Sequence, residues 1–491
     1  VRLKEQLRLQ QERLFGKKSD ASSSILNATT SEIETSPSLE PKKTVVASHV
    51  RNIPPRGKRQ LNIDELPKYT VTHDLPGTEK KCSCCDEIMH VIGQDKSAQL
   101  EIIPMQYCII EHIRLKYGCR SCDSIVMAPK PKAPLPKAIA GASLLTDVVL
   151  NKYQYHLPLY RQSKIMKSNN IAIKDKTLAN WVIASGNALL KIYEAMWTIL
   201  QHRYLQVDET PVKVLETNKK GYVWAYFAPN AGKGLVVFEF SLTRQGSVAE
   251  QRLQSFKGLL QTDGYSGYDA LRKSDNIIGF GCLSHARRKF SEVVKISGNN
   301  HGIAAEMIEK MKPLYALEAR LREAGVNHRV RKRLRQRIAR PILKDIHRWV
   351  RSIQDKILPK SKLGRAIAYT LKQWPYLIAY LRHGMAEIDT NNVENKIRDI
   401  ALGKKNWLFI GNEKCGQIHA LWYTLIISSI INDLNPRVYI HYILTKVHEL
   451  RQGKIDPVSL LPDRIDVAKL EQFATEQIEF GKKMMIAFDT S

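Results

Sequence analysis

One stretch of this 491-residue chain alternates between apolar and polar residues in short runs, a pattern typical of β-strands. Three such runs, beginning at Tyr204, Gly221 and Gly234, are separated by turn-forming residues. A helical pattern follows them, and two further apolar runs begin at Gly258 and Asn276. The sequence therefore predicts a sheet built from three meandering strands, a helix and two more strands, with helical sequence before and after it.

Two aspartates lie at informative positions in this pattern. Asp208 lies in the first predicted strand, and Asp263 ends the fourth. The order of the elements is that of an RNase H-like fold, in which these two strands are neighbours at the centre of the sheet. Two carboxylates held close together repel each other, so such a pair is favourable only when a divalent cation neutralises it. The sequence therefore predicts a divalent-metal site at one edge of the sheet.

A third acid is usually needed for phosphoryl transfer at two metal ions. The best candidate is Glu394, because Thr390 or Asn391 could cap a helix that presents Glu394 on its first turns. The gap between Asp263 and Glu394 is too long for a single connection. We therefore expect an inserted domain between them, and its periodicity is helical.

The predicted insertion, residues 291–385, contains a strongly basic helix. Residues 329–351 include ten lysines or arginines and a single acid, with Val330, Leu334 and Ile338 as the apolar stripe. Such a helix can simply present a solvated face, but beside a metal site that acts on DNA a phosphate-contacting role is favoured. The side chains expected to contact DNA are Arg329, Arg331, Lys332, Arg333, Arg335, Arg337 and Arg340.

The overall charge also points to a polyanionic partner. The chain has 76 Lys and Arg against 48 Asp and Glu, a net charge of +28, which favours nucleic acid over an anionic membrane surface or an acidic protein. The most apolar stretch, His419 to Ile431, is too short to span a bilayer and is expected to be a buried helix. The N-terminus has no signal-peptide pattern, so we expect a cytoplasmic protein. Since the chain begins at Val1 rather than Met, we expect the first residues to be missing.

Four cysteines form two C-x2-C pairs. Cys82 and Cys85 make the first pair, Cys119 and Cys122 make the second, and strand-like sequence lies between them. Four thiolates at these spacings are typical of a zinc ribbon with one structural Zn²⁺, the alternative being a chance arrangement among eight cysteines.

A helix, a polar turn and a second helix are predicted between the ribbon and the first strand. Asp175 is the expected N-cap of the second helix. The pattern resembles a helix-turn-helix that could enter a major groove. The alternative is a helical hairpin that packs through Leu178 and Trp181.

Several separated motifs resemble those of insertion-sequence-66 family transposases, which are DDE-type recombinases with a zinc ribbon ahead of the catalytic domain. The resemblance covers nearly the whole chain. Its motifs are Leu14-Phe-Gly-Lys-Lys-Ser, the two C-x2-C pairs, Val207-Asp-Glu-Thr-Pro, Thr262-Asp-Gly-Tyr, His285-Ala-Arg-Arg-Lys-Phe, Asn392-Val-Glu-Asn-Lys-Ile-Arg, the segment from Ala401 to Gly411, and Asp433-Leu-Asn-Pro through Pro462.

The resemblance implies that Asp208, Asp263 and Glu394 are the catalytic triad and bind two Mg²⁺ ions, which Mn²⁺ can replace. It also implies cleavage at the ends of an insertion element, strand transfer into target DNA, and an active complex in a bacterial cytoplasm. The expected partners are double-stranded DNA, further copies of the chain and accessory proteins of the same element. His285 and Arg398 are expected neighbours of the site, although His285 could instead be a core histidine.

The predicted fold class is therefore multidomain α/β, with an RNase H-like core interrupted by a helical insertion. The predicted segments are 1–15, the end of a coiled coil or a frayed amphipathic helix; 16–65, a flexible basic linker; 66–135, the zinc ribbon; 136–203, the helix-turn-helix-like region; 204–290 and 386–432, the two parts of the core; 291–385, the insertion; and 433–491, a C-terminal segment.

Two other functions are open on sequence grounds. One is a DNA-binding regulator without chemistry, which the three intact acids disfavour; the other is an RNase H-like nuclease that cuts without joining. A second zinc site formed by Cys282, His285, Cys415 and His419 is disfavoured, because Cys415 and His419 are outside the recognised motifs. Glu209 adjoins Asp208 but should face the opposite side of the strand.

Overall fold

The computed structural model describes residues 107–118, 125–136, 138–201, 204–230, 233–298 and 301–489. The chain separates into two compact units, Val1–Tyr107 and Cys108–Ser491, and nearly all of the described residues belong to the second. The predicted N-terminal helix, the linker and the four cysteines of the zinc ribbon lie outside the described residues.

A short hairpin and four helices precede the main sheet. The hairpin pairs β1 (Lys116–Gly118) antiparallel with β2 (Ile125–Met127). The helices that follow it are α1 (Ala142–Tyr153), α2 (Leu159–Ser168), α3 (Asp175–Ala188) and α4 (Leu190–Leu200).

Helices α2 and α3 are the two helices of the predicted helix-turn-helix. Lys174 is the N-cap residue of α3, so the prediction of Asp175 as the cap is one residue too late. Asp175 instead lies in the first turn, where its carboxylate accepts a hydrogen bond from the Lys176 N–H at 2.8 Å. Leu178 and Trp181 are both buried, as the helical-hairpin interpretation expects.

The main sheet has five strands. In chain order its elements are β3 (Leu205–Lys213), β4 (Lys220–Asn230), β5 (Lys233–Ser241), α5 (Gly246–Arg252), β6 (Gly258–Gln261), α6 (Asp269–Arg272) and β7 (Ile277–Phe280). The strand order is β5-β4-β3-β6-β7. Strand β3 pairs antiparallel with β4 and parallel with β6, so the sheet is mixed and the strands carrying the two predicted aspartates are central neighbours.

Helices form the part of the chain between the last strand and the third acid. They are α7 (Leu283–Ser297), α8 (Ile303–Glu323), α9 (His328–Leu334), α10 (Arg340–Gln354) and α11 (Lys362–Leu377), and one π-helical turn, Arg335–Ala339, joins α9 to α10. Their apolar faces share one core that includes Met307, Leu314, Leu343, Ile346 and Ile367. The apolar positions of these helices recur every three to four residues, which explains why they pack against one another.

The basic helix does not bury the stripe that its sequence suggests. Ile338 is 42% exposed, whereas Arg331 and Arg335 are 7% and 0% exposed. Both arginines bind the buried carboxylate of Glu318 on α8, at 2.7 Å from Arg331 Nη2 and 2.6 Å from Arg335 Nε. The prediction that all seven basic side chains contact DNA is therefore too broad, because these two guanidinium groups are enclosed by the protein. The other five are exposed: Arg329, Lys332, Arg333, Arg337 and Arg340.

The chain closes with α12 (Asn391–Trp407), α13 (Glu413–Ile431), α14 (Pro436–Thr445), α15 (Val447–Arg451) and α16 (Val467–Asp489). Helix α13 contains the predicted buried apolar stretch and packs along the sheet beside β5. Within the described ranges, no helix is both long enough and apolar enough to cross a membrane.

Helix α13 also covers the free edge of β5. The Phe238 N–H donates to Thr424 Oγ1 at 2.9 Å, and the Val236 N–H donates to Ser428 Oγ at 3.1 Å. One turn further on, Asn432 Nδ2 donates to the Gly234 carbonyl at 2.8 Å. Four residues along a helix cover nearly the same distance as two residues along a strand. Successive turns of α13 therefore lie beside successive outward-facing backbone groups of β5.

Candidate active site

The two predicted aspartates come from the neighbouring strands β3 and β6. Asp208 lies within β3, and Asp263 follows β6 by two residues. Burial, and then the negative charges of Glu209, Asp263 and Glu394, raise the pKa of Asp208 to about 8. The charges of Asp263 and Glu394 therefore act on Asp208, although both residues are far from it in sequence.

Glu394 reaches the site from the first turn of α12. Thr390 is the N-cap residue of this helix, and its carbonyl accepts the Glu394 N–H at 3.1 Å. One carboxylate oxygen of Glu394, Oε2, accepts a hydrogen bond from Arg288 Nη2 at 2.8 Å. The other, Oε1, lies 3.6 Å from His285 Nδ1.

His285 and Arg288 are presented together by α7. They are three residues apart and so lie on the same helix face, with Arg288 Nη1 at 3.3 Å from His285 Nε2. Burial lowers the pKa of His285, although the charges of Asp263 and Glu394 act in the opposite direction. The imidazole is therefore neutral near pH 7, and His285 is a neighbour of the acids.

Arg288 was not among the site residues predicted from the sequence. The signal was present, because Arg288 lies in the His285-Ala-Arg-Arg-Lys-Phe motif at a spacing that places it beside His285 on a helix. Arg398, which was expected beside the site, is exposed one turn beyond Glu394 on α12 and acts electrostatically on Asp399.

Glu209 lies next to Asp208 in β3, and its side chain has its own partners. Its carboxylate binds Arg244 Nη2 at 2.6 Å and accepts a hydrogen bond from the Tyr268 hydroxyl at 2.6 Å. Since successive side chains of a strand point to opposite faces, Glu209 faces away from Asp208. These contacts anchor the loop after Asp263 to β3.

Two buried glutamines of the central strands hold the segment that leads into α12. Gln206 Nε2 donates to the Asp389 carbonyl at 3.1 Å, and Gln261 Nε2 donates to the Glu387 carbonyl at 2.9 Å. The Glu387 N–H in turn donates to the Tyr204 hydroxyl at 3.0 Å. These hydrogen bonds connect β3 and β6 to the residues just before Glu394, which explains how an acid so distant in sequence is placed at the sheet edge.

Asp389 and Glu387 are the other acids near the start of α12, and both are engaged elsewhere. Burial raises the pKa of Asp389 to about 6, and its carboxylate accepts hydrogen bonds from the backbone and side chain of Asn391. The Glu387 carboxylate binds Arg331 at 2.7 Å and Arg322 at 3.2 Å. The carboxylates of Asp389 and Glu387 therefore have their own partners away from Asp208.

The ligand chemistry of the three acids suits a divalent cation, although their carboxylate oxygens are not grouped within 4.8 Å of one another in the structure. Asp208, Asp263 and Glu394 supply carboxylate oxygens, the ligands that Mg²⁺ and Mn²⁺ prefer. The like charges of three acids at a partly buried site disfavour ionisation of Asp208 unless a cation is present. These three residues could therefore hold the metal.

The raised pKa of Asp208 predicts that Mg²⁺ stabilises the protein more in alkaline than in acidic solution. An acid whose pKa is raised binds more protons in the native than in the unfolded state, so the metal-free fold loses stability as pH rises from 3.8 towards about 8. A cation replaces the proton and reverses this loss. We expect Mg²⁺ to raise the thermal midpoint by several degrees near pH 8.5 and by roughly half as much or less near pH 6.

The matched variant for this measurement is Asp208→Asn, whose amide carries no charge at any of these pH values. Differential scanning calorimetry with and without Mg²⁺ should show that the Mg²⁺ shift of this variant no longer depends on pH. Equal shifts at both pH values in the unsubstituted chain would contradict the prediction.

Two parts of the chain match known protein families. A family profile described as "Transposase IS66 family" matches residues 137–418, and one described as "zinc-finger binding domain of transposase IS66" matches residues 79–123. The protein y4jD of Sinorhizobium fredii (strain NBRC 101917 / NGR234) is 31% identical over 414 residues, which cover 80% of each chain. The proteins y4hP and y4qI of the same organism are 27% and 29% identical, covering 78% of this chain and 73% and 72% of their own. All three relatives are described as uncharacterized proteins.

Proposed function

Because the chain belongs to the IS66 family of transposases, we propose that it is a DDE-type enzyme that cleaves DNA at the ends of an insertion element and joins them to target DNA. The observation that supports the proposal is that the charges of Asp263, just after β6, and Glu394, on the first turn of α12, both act on Asp208 in β3. The helix-rich α/β fold with its mixed sheet is consistent with such an enzyme.

We also propose that the sheet is an RNase H-like core. The strand order β5-β4-β3-β6-β7, with β3 antiparallel to β4 and parallel to β6, supports this assignment. Helices α8 to α11 then form the insertion that separates the second acid from the third.

The chemistry follows from the groups around the three acids. Asp208, Asp263 and Glu394 would hold a divalent cation, which would supply Lewis-acid activation of the attacking oxygen and stabilisation of the leaving oxygen. Asp208 would be deprotonated when it holds the cation, because the positive charge would offset the burial and the negative charges that raise its pKa. Arg288 pairs with Glu394, and its side chain is 48% exposed, so it can turn to a DNA phosphate at the same edge.

Two other functions make different predictions. A DNA-binding regulator without chemistry would need no cluster of acids, and the energetic cost of burying Asp208 argues against it. A nuclease that cuts without joining would need the same acids but not the basic insertion or the zinc-finger segment at 79–123. An in vitro assay with the full chain, Mg²⁺ and the element's own flanking ends separates the three.

Joined products in that assay would support the transposase, cleavage without joining would identify the nuclease, and binding without cleavage would identify the regulator. Mn²⁺ should replace Mg²⁺, whereas Ca²⁺ should permit DNA binding with little chemistry because it coordinates more loosely. We further propose that the active complex is an oligomer on double-stranded DNA that includes accessory proteins of the same element.

The exposed part of the basic helix predicts how DNA binding depends on salt. Each phosphate that a basic side chain neutralises releases counterions, so the slope of log K against log[salt] becomes shallower by about 0.9 for each such side chain removed. Changing Arg333, Arg337 and Arg340 together to Gln should therefore reduce the slope by roughly 2 to 3, as measured by fluorescence anisotropy on duplex DNA. Lys469→Gln with Lys482→Gln on α16 is the control, since these lysines are also exposed but lie on another helix. An unchanged slope in the arginine variant would mean that the basic helix only faces solvent.

The zinc-finger segment predicts about one structural zinc ion per chain, bound by Cys82, Cys85, Cys119 and Cys122. Replacing Cys119 and Cys122 by Ser removes half of the ligands and should release this ion. Elemental analysis of the purified chain measures it. An unchanged zinc content in the double variant would reject the ligand assignment.

A further inference from the structure

A second set of metal-binding atoms lies beside the acid triad. The Cys282 sulfur, a ring nitrogen of His285 and a carboxylate oxygen of Glu394 all lie within 4.8 Å of one another. Cys282 is the N-cap residue of α7 and His285 lies on its first turn, while Glu394 comes from the first turn of α12. Two helix starts therefore place three different donors around one point.

The atoms facing this point are not otherwise satisfied. His285 Nδ1 and Glu394 Oε1 are both shielded from solvent, and neither has a hydrogen-bond partner among the described residues. A buried polar atom without a partner costs about 1–3 kcal/mol, so a ligand shared by these two atoms, which lie 3.6 Å apart, would stabilise both. Cys282 is only 1% exposed, and its sulfur accepts a hydrogen bond from the Thr390 N–H at 3.3 Å.

The donor chemistry selects the ligand. Mg²⁺ and Ca²⁺ are hard cations that avoid sulfur, whereas one thiolate, one imidazole and one carboxylate are ligands of the zinc class. Three protein ligands leave a fourth tetrahedral position for water. As the bond from sulfur to metal forms, the Cys282 thiol loses its proton to solvent.

We propose that Cys282, His285 and Glu394 bind a thiophilic divalent cation such as Zn²⁺, and that this binding removes Glu394 from the acid triad. The second half rests on the proposed function, because it concerns the role of Glu394 in catalysis. Zn²⁺ at this site and Mg²⁺ at the triad compete for the same carboxylate, so zinc acts as an inhibitor of the DNA chemistry.

The side chain of Arg288 must move when a cation binds at this site. It binds Glu394 through Oε2 and leaves Oε1 for the cation, but its Nη1 lies 3.3 Å from His285 Nε2. When Nδ1 binds a metal, Nε2 carries a proton and can no longer accept a hydrogen bond from Arg288. Since Arg288 is half exposed, its Nη1 can move away from His285 while its Nη2 keeps Glu394 Oε2, so that both oxygens of Glu394 are occupied when the site fills.

The first experiment measures zinc alone. The full chain, Cys282→Ala and the matched control Cys415→Ala, which removes a half-buried cysteine outside the cluster, are saturated with Zn²⁺, desalted and analysed for metal. The original chain and Cys415→Ala should each hold one more ion than Cys282→Ala, whatever the zinc-finger segment contributes to all three. His285→Gln, whose side chain is more exposed than that of Cys282, should lose the same ion if Cys282→Ala proves too unstable to purify. Equal zinc content in all four proteins would overturn the proposal.

The second experiment measures inhibition relative to each protein's own Mg²⁺-supported cleavage. Micromolar Zn²⁺ should lower cleavage by the original chain and by Cys415→Ala about tenfold or more. Cys282→Ala should need a Zn²⁺ concentration at least about tenfold higher for the same inhibition, as expected for the loss of a ligand. Equal sensitivity of all three would reject the competition for Glu394. If no protein cleaves DNA, the proposed function fails, while the zinc content still decides whether this site binds metal.

Discussion

Replacing Asp208, Asp263 or Glu394 by its neutral amide is expected to lower DNA cleavage and strand transfer together, each by at least about 10³-fold. An amide keeps the shape of the side chain but removes the negative charge that holds the cation. Gel assays of cleavage and joining on element-end DNA measure the effect. Duplex binding and its salt dependence should remain nearly unchanged in all three variants, because neither needs the acid triad, and the zinc content of the two aspartate variants should be unchanged.

Glu209→Gln is the control for these substitutions. Glu209 lies next to Asp208 in sequence, but its carboxylate contacts Arg244 and Tyr268 on the other face of β3. A glutamine can still accept the Tyr268 hydrogen bond, so we expect activity within roughly tenfold of the original. Strand transfer that survives Glu394→Ala would refute the choice of third acid and direct attention to Asp389 and Glu387.

The second large effect concerns stability. Glu318→Ala should lower the free energy of unfolding by about 3–5 kcal/mol, because it leaves the buried guanidinium of Arg335 without its carboxylate. Burial alone would raise the pKa of Glu318, but the hydrogen bonds and charges of Arg335 and Arg331 outweigh it and lower the pKa. The carboxylate is therefore ionised and fully paired at neutral pH. Urea denaturation followed by circular dichroism measures the change.

Glu309→Ala provides the comparison on the same helix. Glu309 also forms an ion pair, with Lys312 at 2.7 Å, but both side chains are about 60% exposed. Exposed pairs of this kind contribute about 0–1 kcal/mol, so the substitution should be nearly neutral. Equally small changes in the two variants would mean that the buried pair does not stabilise the insertion.

The two aspartates could be found from sequence because their signal is local. Alternating apolar residues place Asp208 in a strand, and the turn after Asp263 ends another, so only the order of the strands is needed to make them neighbours. Glu394 required an additional assumption, that a long helical segment is inserted before it. Its placement depends on Gln206 and Gln261, whose buried amides bind the chain just ahead of α12 and which no periodic pattern distinguishes.

In the basic helix, burial predicted from the local sequence pattern is wrong. On a helical wheel Arg331 and Arg335 look solvated, and Ile338 looks buried. The structure reverses this because Glu318, on the preceding helix, and Glu387, beyond the insertion, supply the negative charge that allows two arginines to be enclosed. Ion pairs between residues so far apart in sequence cannot be recognised from the apolar periodicity of the helix itself.

The hydrogen bonds from Thr424, Ser428 and Asn432 to β5 have a consequence for how this protein associates with others. A strand at the edge of a sheet normally offers unpaired amides that recruit a strand from another chain. Here the outward-facing groups of Gly234, Val236 and Phe238 already have partners within the same chain. Sheet extension at β5 is therefore closed, and fibre-like stacking of chains through this edge is prevented.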